Sequence, residues 1–128
     1  MASTFDPSEL HILIVDDEED IVEVVGHFLR QEGFNVHKAY AGNEALEKAS
    51  PEIDLIVLDI MLPEMDGFEV CRRIKSNEST RHIPVIMLTA KKSREDMARG
   101  ETVGADWYIT KPFKSAMVIE TIQRFLAK

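Results

Sequence analysis

The sequence predicts an α/β fold built on a doubly wound parallel sheet, and three observations predict it. Five short apolar segments alternate with five amphipathic ones along the 128 residues. The first of them, His11 to Val15, is continuous rather than alternating, as expected of a strand covered on both faces. Turn and capping residues punctuate the boundaries, so each strand is followed by its own helix.

Residues 1–9 form a polar lead-in with a turn signal at Asp6-Pro7-Ser8, and one domain is expected over 10–128. The run His11-Ile12-Leu13-Ile14-Val15 predicts the first strand. Ile21, Val25, Phe28 and Leu29 then recur at helical spacing and are expected to face the core, with Gly33 ending the helix in a left-handed conformation. A second strand follows over 34–39 and a short helix over 43–49, stopped at Ser50-Pro51. Residues 53–58 form the most strand-like run of the chain. A loop containing Pro63 leads to a helix over 66–76 that turns Val70, Cys71 and Ile74 inward. The fourth strand spans 84–88. Ser93, with Asp96 three residues on, resembles a capping box opening a helix to 103, which Gly104 closes. A fifth strand over 107–109 precedes a last helix over 115–127, with Val118, Ile122, Phe125 and Leu126 inward.

The formal charge of −8 is unevenly distributed: residues 1–64 hold 15 acids and 3 bases, residues 65–128 hold 8 acids and 12 bases. A net-acidic chain without a long Lys/Arg run argues against direct nucleic-acid binding and against an anionic-lipid anchor. No apolar run is long enough to span a membrane, and the single Cys71 allows no intrachain disulfide, so a cytoplasmic location is expected.

Parallel doubly wound sheets collect their working groups beyond the carboxyl ends of the strands. The first strand ends in Asp16-Asp17, the third in Asp59 and the fourth in Thr89, and Lys111 follows the fifth. Three crowded carboxylates repel unless compensated. A hard dication compensates them, and oxygen ligands without nearby His or Cys favour Mg²⁺ or Mn²⁺ over Zn²⁺. Such an ion is commonly completed by phosphate oxygens, to which Lys111 and the Thr89 hydroxyl could also donate. The set therefore points to phosphoryl transfer, with a carboxylate as possible acceptor. A purely structural reading remains for each member: Asp16 or Asp17 as a helix cap, Lys111-Pro112 as a turn, and Glu18, Glu19 and Asp20 as companions of the helix dipole.

At these positions the chain resembles a bacterial two-component response-regulator receiver domain. The resemblance rests on Ile14-Val15-Asp16-Asp17-Glu18, on Leu58-Asp59-Ile60-Met61-Leu62-Pro63-Glu64-Met65-Asp66-Gly67 and on Pro84-Val85-Ile86-Met87-Leu88-Thr89-Ala90. It continues through Gly104-Ala105-Asp106 and Tyr108-Ile109-Thr110-Lys111-Pro112-Phe113, in the family's order, covering about residues 11–127. It implies a flavodoxin-like (βα)5 three-layer sandwich with strand order 2-1-3-4-5. It implies that Asp59 is the phosphoacceptor, taking its phosphoryl group from the phosphohistidine of a sensor histidine kinase or phosphotransfer protein. Asp17, Asp59 and the Met61 backbone carbonyl would hold the metal directly, and Asp16 through water. Lys111 would pair with Asp59 and then with the phosphoryl group, Thr89 would bind a phosphoryl oxygen, and Tyr108 would swing inward behind it. Lys111–Pro112 would be a cis peptide. The side chains of Met61 and Lys91, two residues beyond Asp59 and Thr89, would border the access route and influence hydrolysis.

Output is implied through the fourth helix, fifth strand and fifth helix, onto a downstream protein or a fused effector. A stand-alone receiver and an excised one are both compatible with the sequence. Met117-Val118 and Glu120-Thr121 replace the Glu-Leu and Ala-Arg of winged-helix lineages, so that dimer pairing does not transfer, and a monomer and a phosphorylation-dependent dimer both stay open. Catalysis is expected only on the chain's own Asp59. Two other readings are a phosphorylation-silent interaction scaffold and an aspartyl-nucleophile phosphohydrolase, whose family would place a second Asp where Met61 stands.

The remaining residues are expected to be structural. His11, His27, His37 and His82 share no metal-ligand spacing, Cys71 suits a small core position, and Trp107 reads as packing more than as recognition surface. Lys91, Lys92, Arg94 and Arg99 form a solvated face or part of a partner surface. Gly26 suggests close packing. Gly100 either loosens its helix or relieves crowding against a neighbour.

Overall fold

The chain forms one five-stranded parallel sheet in the order β2-β1-β3-β4-β5. The structure, a computed structural model, describes residues 6–90 and 94–126. The strands are β1 His11–Val15, β2 Asn35–Ala39, β3 Leu55–Asp59, β4 Val85–Thr89 and β5 Trp107–Thr110; the helices are α1 Glu19–Gln31, α2 Gly42–Lys48, α3 Gly67–Ser76, α4 Arg94–Val103 and α5 Ser115–Leu126. Asp6 caps a short 3-10 turn, Pro7–Glu9, ahead of β1. The Ser93 cap, Lys91 and Lys92 lie outside the described residues, as does the final stretch of the last helix.

Strand side chains alternate between the faces, and both faces are covered. Ile12, Ile14, Leu55, Val57, Ile86 and Leu88 pack with α1 and α5. Leu13, Val15, Ile56, Leu58, Val85 and Met87 pack on the other side with α2 and α3. This burial on both sides is why β1, β3 and β4 read as nearly uninterrupted apolar runs, whereas the outer strands β2 and β5 do not.

The helix ends follow local chemistry. Gly33 adopts φ +98°, its N–H donates to Arg30 O at 2.9 Å, and Phe34 N–H donates to Leu29 O at 3.1 Å. Gly104, at φ +90°, ends α4 in the same way, with Ala105 N–H donating to Gly100 O at 2.9 Å. These glycines satisfy the last helical carbonyls in a conformation that a Cβ would strain. Asp66 caps α3 by accepting the Glu69 N–H at 2.9 Å.

Three expectations need correction. The inward stripe of α1 is Val22, Val25, Gly26 and Leu29, whereas Phe28 is 42% exposed and Ile21 only half-buried. At 100° per residue, a stripe centred on positions 22, 25 and 29 carries position 28 off its edge. Trp107 is 49% exposed, its indole standing edge-on to Phe125 at 6.4 Å, because β5 is the sheet's outer strand. Glu18 does more than favour the dipole of α1: its carboxylate accepts a hydrogen bond from Lys111 Nζ.

Gly100 relieves crowding. A Cβ there would lie 2.6 Å from Tyr108 Cε1 and Cζ, and the Tyr108 hydroxyl donates to Met97 O at 3.0 Å. Gly100→Ala is expected to cost about 1–3 kcal/mol by overpacking, despite alanine's roughly 1 kcal/mol better helix propensity. In a Tyr108→Ala background the same substitution should become neutral or stabilising. Urea denaturation of the four proteins measures both effects, and equal costs in both backgrounds would refute the crowding explanation.

Candidate functional site

Strand register assembles the site. Val15 pairs with Leu58, so the next residues, Asp16 and Asp59, stand side by side at the carboxyl rim. Asp59 pairs with Leu88, placing Thr89 one step beyond it, and Thr89 pairs with Thr110, which precedes Lys111. The Lys111 N–H donates to Thr89 O at 2.6 Å, tying the two strand ends together. The Lys111–Pro112 peptide is cis.

Burial differs sharply within the set. Asp16, Asp59 and Thr89 are nearly inaccessible, whereas Asp17 is exposed. Carboxylate oxygens of Asp16, Asp17 and Asp59 nevertheless lie within 4.8 Å of one another. Asp16 Oδ1 accepts the Glu18 N–H at 3.0 Å and thereby shapes the entry to α1. Asp16 Oδ2 is buried without a hydrogen-bond partner among the described residues, although Lys111 Nζ lies 3.0 Å away as an ion pair.

Lys111 is shared. Its Nζ donates to Glu18 Oε1 at 3.1 Å and stands 3.4 Å from Asp59 Oδ1. Burial would lower the pKa of this ammonium, but Asp16 and Glu18, together with the charge of Asp59, outweigh burial and raise it. Lys111 therefore stays charged. Burial, and then the charge of Asp16, push the Asp59 carboxyl up to about 7, against the opposing pull of Lys111 and of the Met61 N–H that it accepts.

One ammonium among Asp16, Asp17, Asp59 and Glu18 leaves an excess of negative charge in a poorly solvated place. The orphaned Asp16 oxygen, the elevated Asp59 carboxyl and the oxygen-only donor set fit a hard divalent cation. Beside the acids opens a cleft of about 560 Å³, lined by Asp17, Met61, Thr89, Ala90 and Arg99 among others. It is wide enough to admit a phosphoryl group.

Several contacts were not visible in the sequence. Glu18 is one. Arg99 lies 4.2 Å over the Phe68 ring and 3.4 Å from Asp66 Oδ2, joining α4 to the start of α3 rather than standing free. His11 Nδ1 and His37 Nε2 approach to 2.9 Å across β1 and β2. Burial and the neighbouring His11 lower the His37 pKa. None of these pairs has a sequence signal, because strand register and helix docking create them. Cys71 is fully buried, and burial pushes its thiol up to about 11, matching a core role. Tyr108 packs under α4 over Gly100, behind the strand end that carries Thr89.

Residues 12–123 match the family model described as the response regulator receiver domain. Chemotaxis protein CheY4 of Vibrio cholerae is 36% identical, with TM-score 0.87 over 91% of this chain and 98% of that one. The receiver domain of a signal transduction histidine kinase from Syntrophus aciditrophicus is 37% identical, with TM-score 0.81, covering 91% and 89% of the two chains. DrrB, a Thermotoga maritima response regulator described as an OmpR/PhoB homolog, is 34% identical, with TM-score 0.83 over 91% of this chain; the match spans 52% of the DrrB chain.

Proposed function

This chain belongs to the response regulator receiver domain family, and from that membership we propose that it takes up a phosphoryl group on Asp59 and relays the change to a partner. Supporting this reading above all is the meeting of three carboxylates within 4.8 Å, with Lys111 beside them, at the ends of different strands. An Asp59 carboxylate oxygen attacks phosphorus and the phosphorus–nitrogen bond of a phosphohistidine breaks. The imidazole leaves with the bonding pair and takes a proton from solvent. The donor is a sensor histidine kinase or a phosphotransfer protein.

Lys111 offsets the charge carried by the phosphoryl oxygens, and the Thr89 hydroxyl donates to one of them. Asp17, Asp59 and the Met61 carbonyl would hold Mg²⁺, or Mn²⁺, with Asp16 acting through water. The bound ion would supply charge neutralisation at the transferred group. Water later hydrolyses the aspartyl phosphate past Met61, so the chain turns over only its own Asp59. Tyr108 swings inward as Thr89 engages the phosphate, shifting the surface of α4, β5 and α5 for a downstream protein or a fused effector. Residues 10–128 constitute this domain, monomeric or dimerising on phosphorylation, and it works in the cytoplasm. No described helix is long and apolar enough to cross a membrane.

A silent scaffold is not favoured, because the acidic, hydroxyl and lysine groups are all present. A phosphohydrolase is not favoured either, since the second Asp it needs is replaced by Met61, whose side chain is exposed. Incubation with acetyl phosphate and Mg²⁺ should add the mass of one phosphoryl group, and Asp59→Asn or excess EDTA should prevent it. A wild-type protein that gains nothing, or an Asp59→Asn variant that still gains the mass, refutes the reading.

A further inference from the structure

Glu18 is the N-cap of α1, yet its side chain makes no capping hydrogen bond. It turns across the rim, where Oε1 accepts from Lys111 Nζ at 3.1 Å, although the Glu18 side chain is 61% exposed. The other two acids around this ammonium are placed differently. Asp16 is fully buried, its Oδ2 without a hydrogen-bond partner among the described residues, and Asp59 stands 3.4 Å off in the last position of β3. Among the described residues, the side-chain hydrogen bond of Lys111 thus points outward, to the exposed one of its three acidic neighbours.

We propose that Glu18 is a positioning residue for Lys111: a releasable tether that draws the ammonium toward the rim in the unphosphorylated domain and must give way before Lys111 can meet an incoming phosphoryl group. The proposal rests on the phosphoacceptor reading of Asp59. With acetyl phosphate as donor, Asp59 attacks phosphorus, the bond to the acetate oxygen breaks, and acetate departs with the electron pair. Lys111 stabilises the oxygens of the transferred group once it has left Glu18. Asp16 and Asp59 are rigidly held and cannot regulate this step by moving, whereas an exposed glutamate can.

Removing the tether should quicken the step, and it is weakened by loss of either its charge or its reach. Glu18→Gln removes the charge; Glu18→Asp keeps the charge but shortens the side chain by one methylene. Asp20→Asn removes a neighbouring exposed charge that does not touch Lys111, and so measures the general field effect on an anionic donor. Both Glu18 variants should raise the limiting rate of phosphorylation by acetyl phosphate about threefold, the scale set by one exposed ion pair. Their half-saturating donor concentrations should shift no more than that of Asp20→Asn.

The Lys111 ammonium resonance offers an independent readout by ¹⁵N-edited NMR of the unphosphorylated protein. Its proton exchange should accelerate in both Glu18 variants and stay unchanged in Asp20→Asn. The tether is refuted if Glu18→Asp matches wild type while Glu18→Gln matches Asp20→Asn, if either Glu18 variant is slower, or if the ammonium signal is unaltered. A different failure, no phosphoryl gain by any of the proteins, removes the phosphoacceptor reading itself and this role with it.

Discussion

Asp59→Asn should make the metal-free domain more stable above pH 7 by about 2–4 kcal/mol, while leaving it within about 1 kcal/mol of wild type near pH 4. Burial and the neighbouring Asp16 raise the Asp59 carboxyl from 3.8 to about 7 in the folded chain. The folded state therefore holds this proton more tightly than the unfolded state does. The resulting stability is fully present below the unfolded value near 4 and is lost as pH rises through about 7. Asparagine is nearly isosteric and stays neutral, so it escapes the loss. Urea denaturation in EDTA at several pH values measures the difference, and a gap that does not widen with pH refutes the account. Added Mg²⁺ should close the gap at pH 8 by stabilising wild type, because the cation compensates the carboxylates that the metal-free fold crowds together.

The second large effect is expected at Gly67, the first residue of α3. A Cβ there would lie 2.8 Å from Ile60 Cα and 3.0 Å from the carbonyl carbon of Asp59, and the Gly67 N–H donates to Ile60 O at 2.8 Å. These neighbours are backbone and cannot rotate away. Gly67→Ala would force the start of α3 off the end of β3, with an expected cost of about 3 kcal/mol or more and slower phosphorylation of the displaced Asp59. Gly26→Ala is the control. Its Cβ would meet the Lys38 Cε at 3.4 Å and the Val36 Cγ1 at 3.5 Å, ordinary contacts with side chains. That substitution should be neutral or gain up to about 1 kcal/mol of helix propensity. Equal losses at both positions would show that the backbone approach is not what reserves residue 67 for glycine.

Much of the molecule is legible in the sequence. The five strands lie within two residues of their expected bounds: β1, β3 and β4, buried on both faces, are apolar almost throughout, whereas the outer strands β2 and β5 carry polar residues and are marked by the helix-ending Gly33 and Gly104 before them. The ends of α1 and α4 were found because Gly33 and Gly104 adopt the left-handed conformation that closes a helix. The rim set of Asp16, Asp17, Asp59, Thr89 and Lys111 could be gathered from strand ends alone, since parallel strands all present their carboxyl ends on one side. The inward face of α1 was read less well. Its rotation is set by docking, and Ile21 and Phe28 flank the buried stripe instead of forming it.

What escaped the sequence shares one cause. Glu18 and Lys111 are 93 positions apart, Arg99 and Asp66 are 33 apart, and His11 and His37 are 26 apart. Local patterning reports which way a segment turns its apolar side, but it contains no information on which distant side chains will touch. The same division explains Gly100. A glycine within a helix is equally compatible with looseness and with tight packing, and Tyr108, arriving from β5, resolves it as packing. Composition and periodicity were thus sufficient for the fold class and for the chemical character of the rim, since both follow from burial and from strand direction. The sharing of Lys111 among three carboxylates, and the elevated Asp59 that results from burial beside Asp16, arise only when register and desolvation act together on residues remote in the chain.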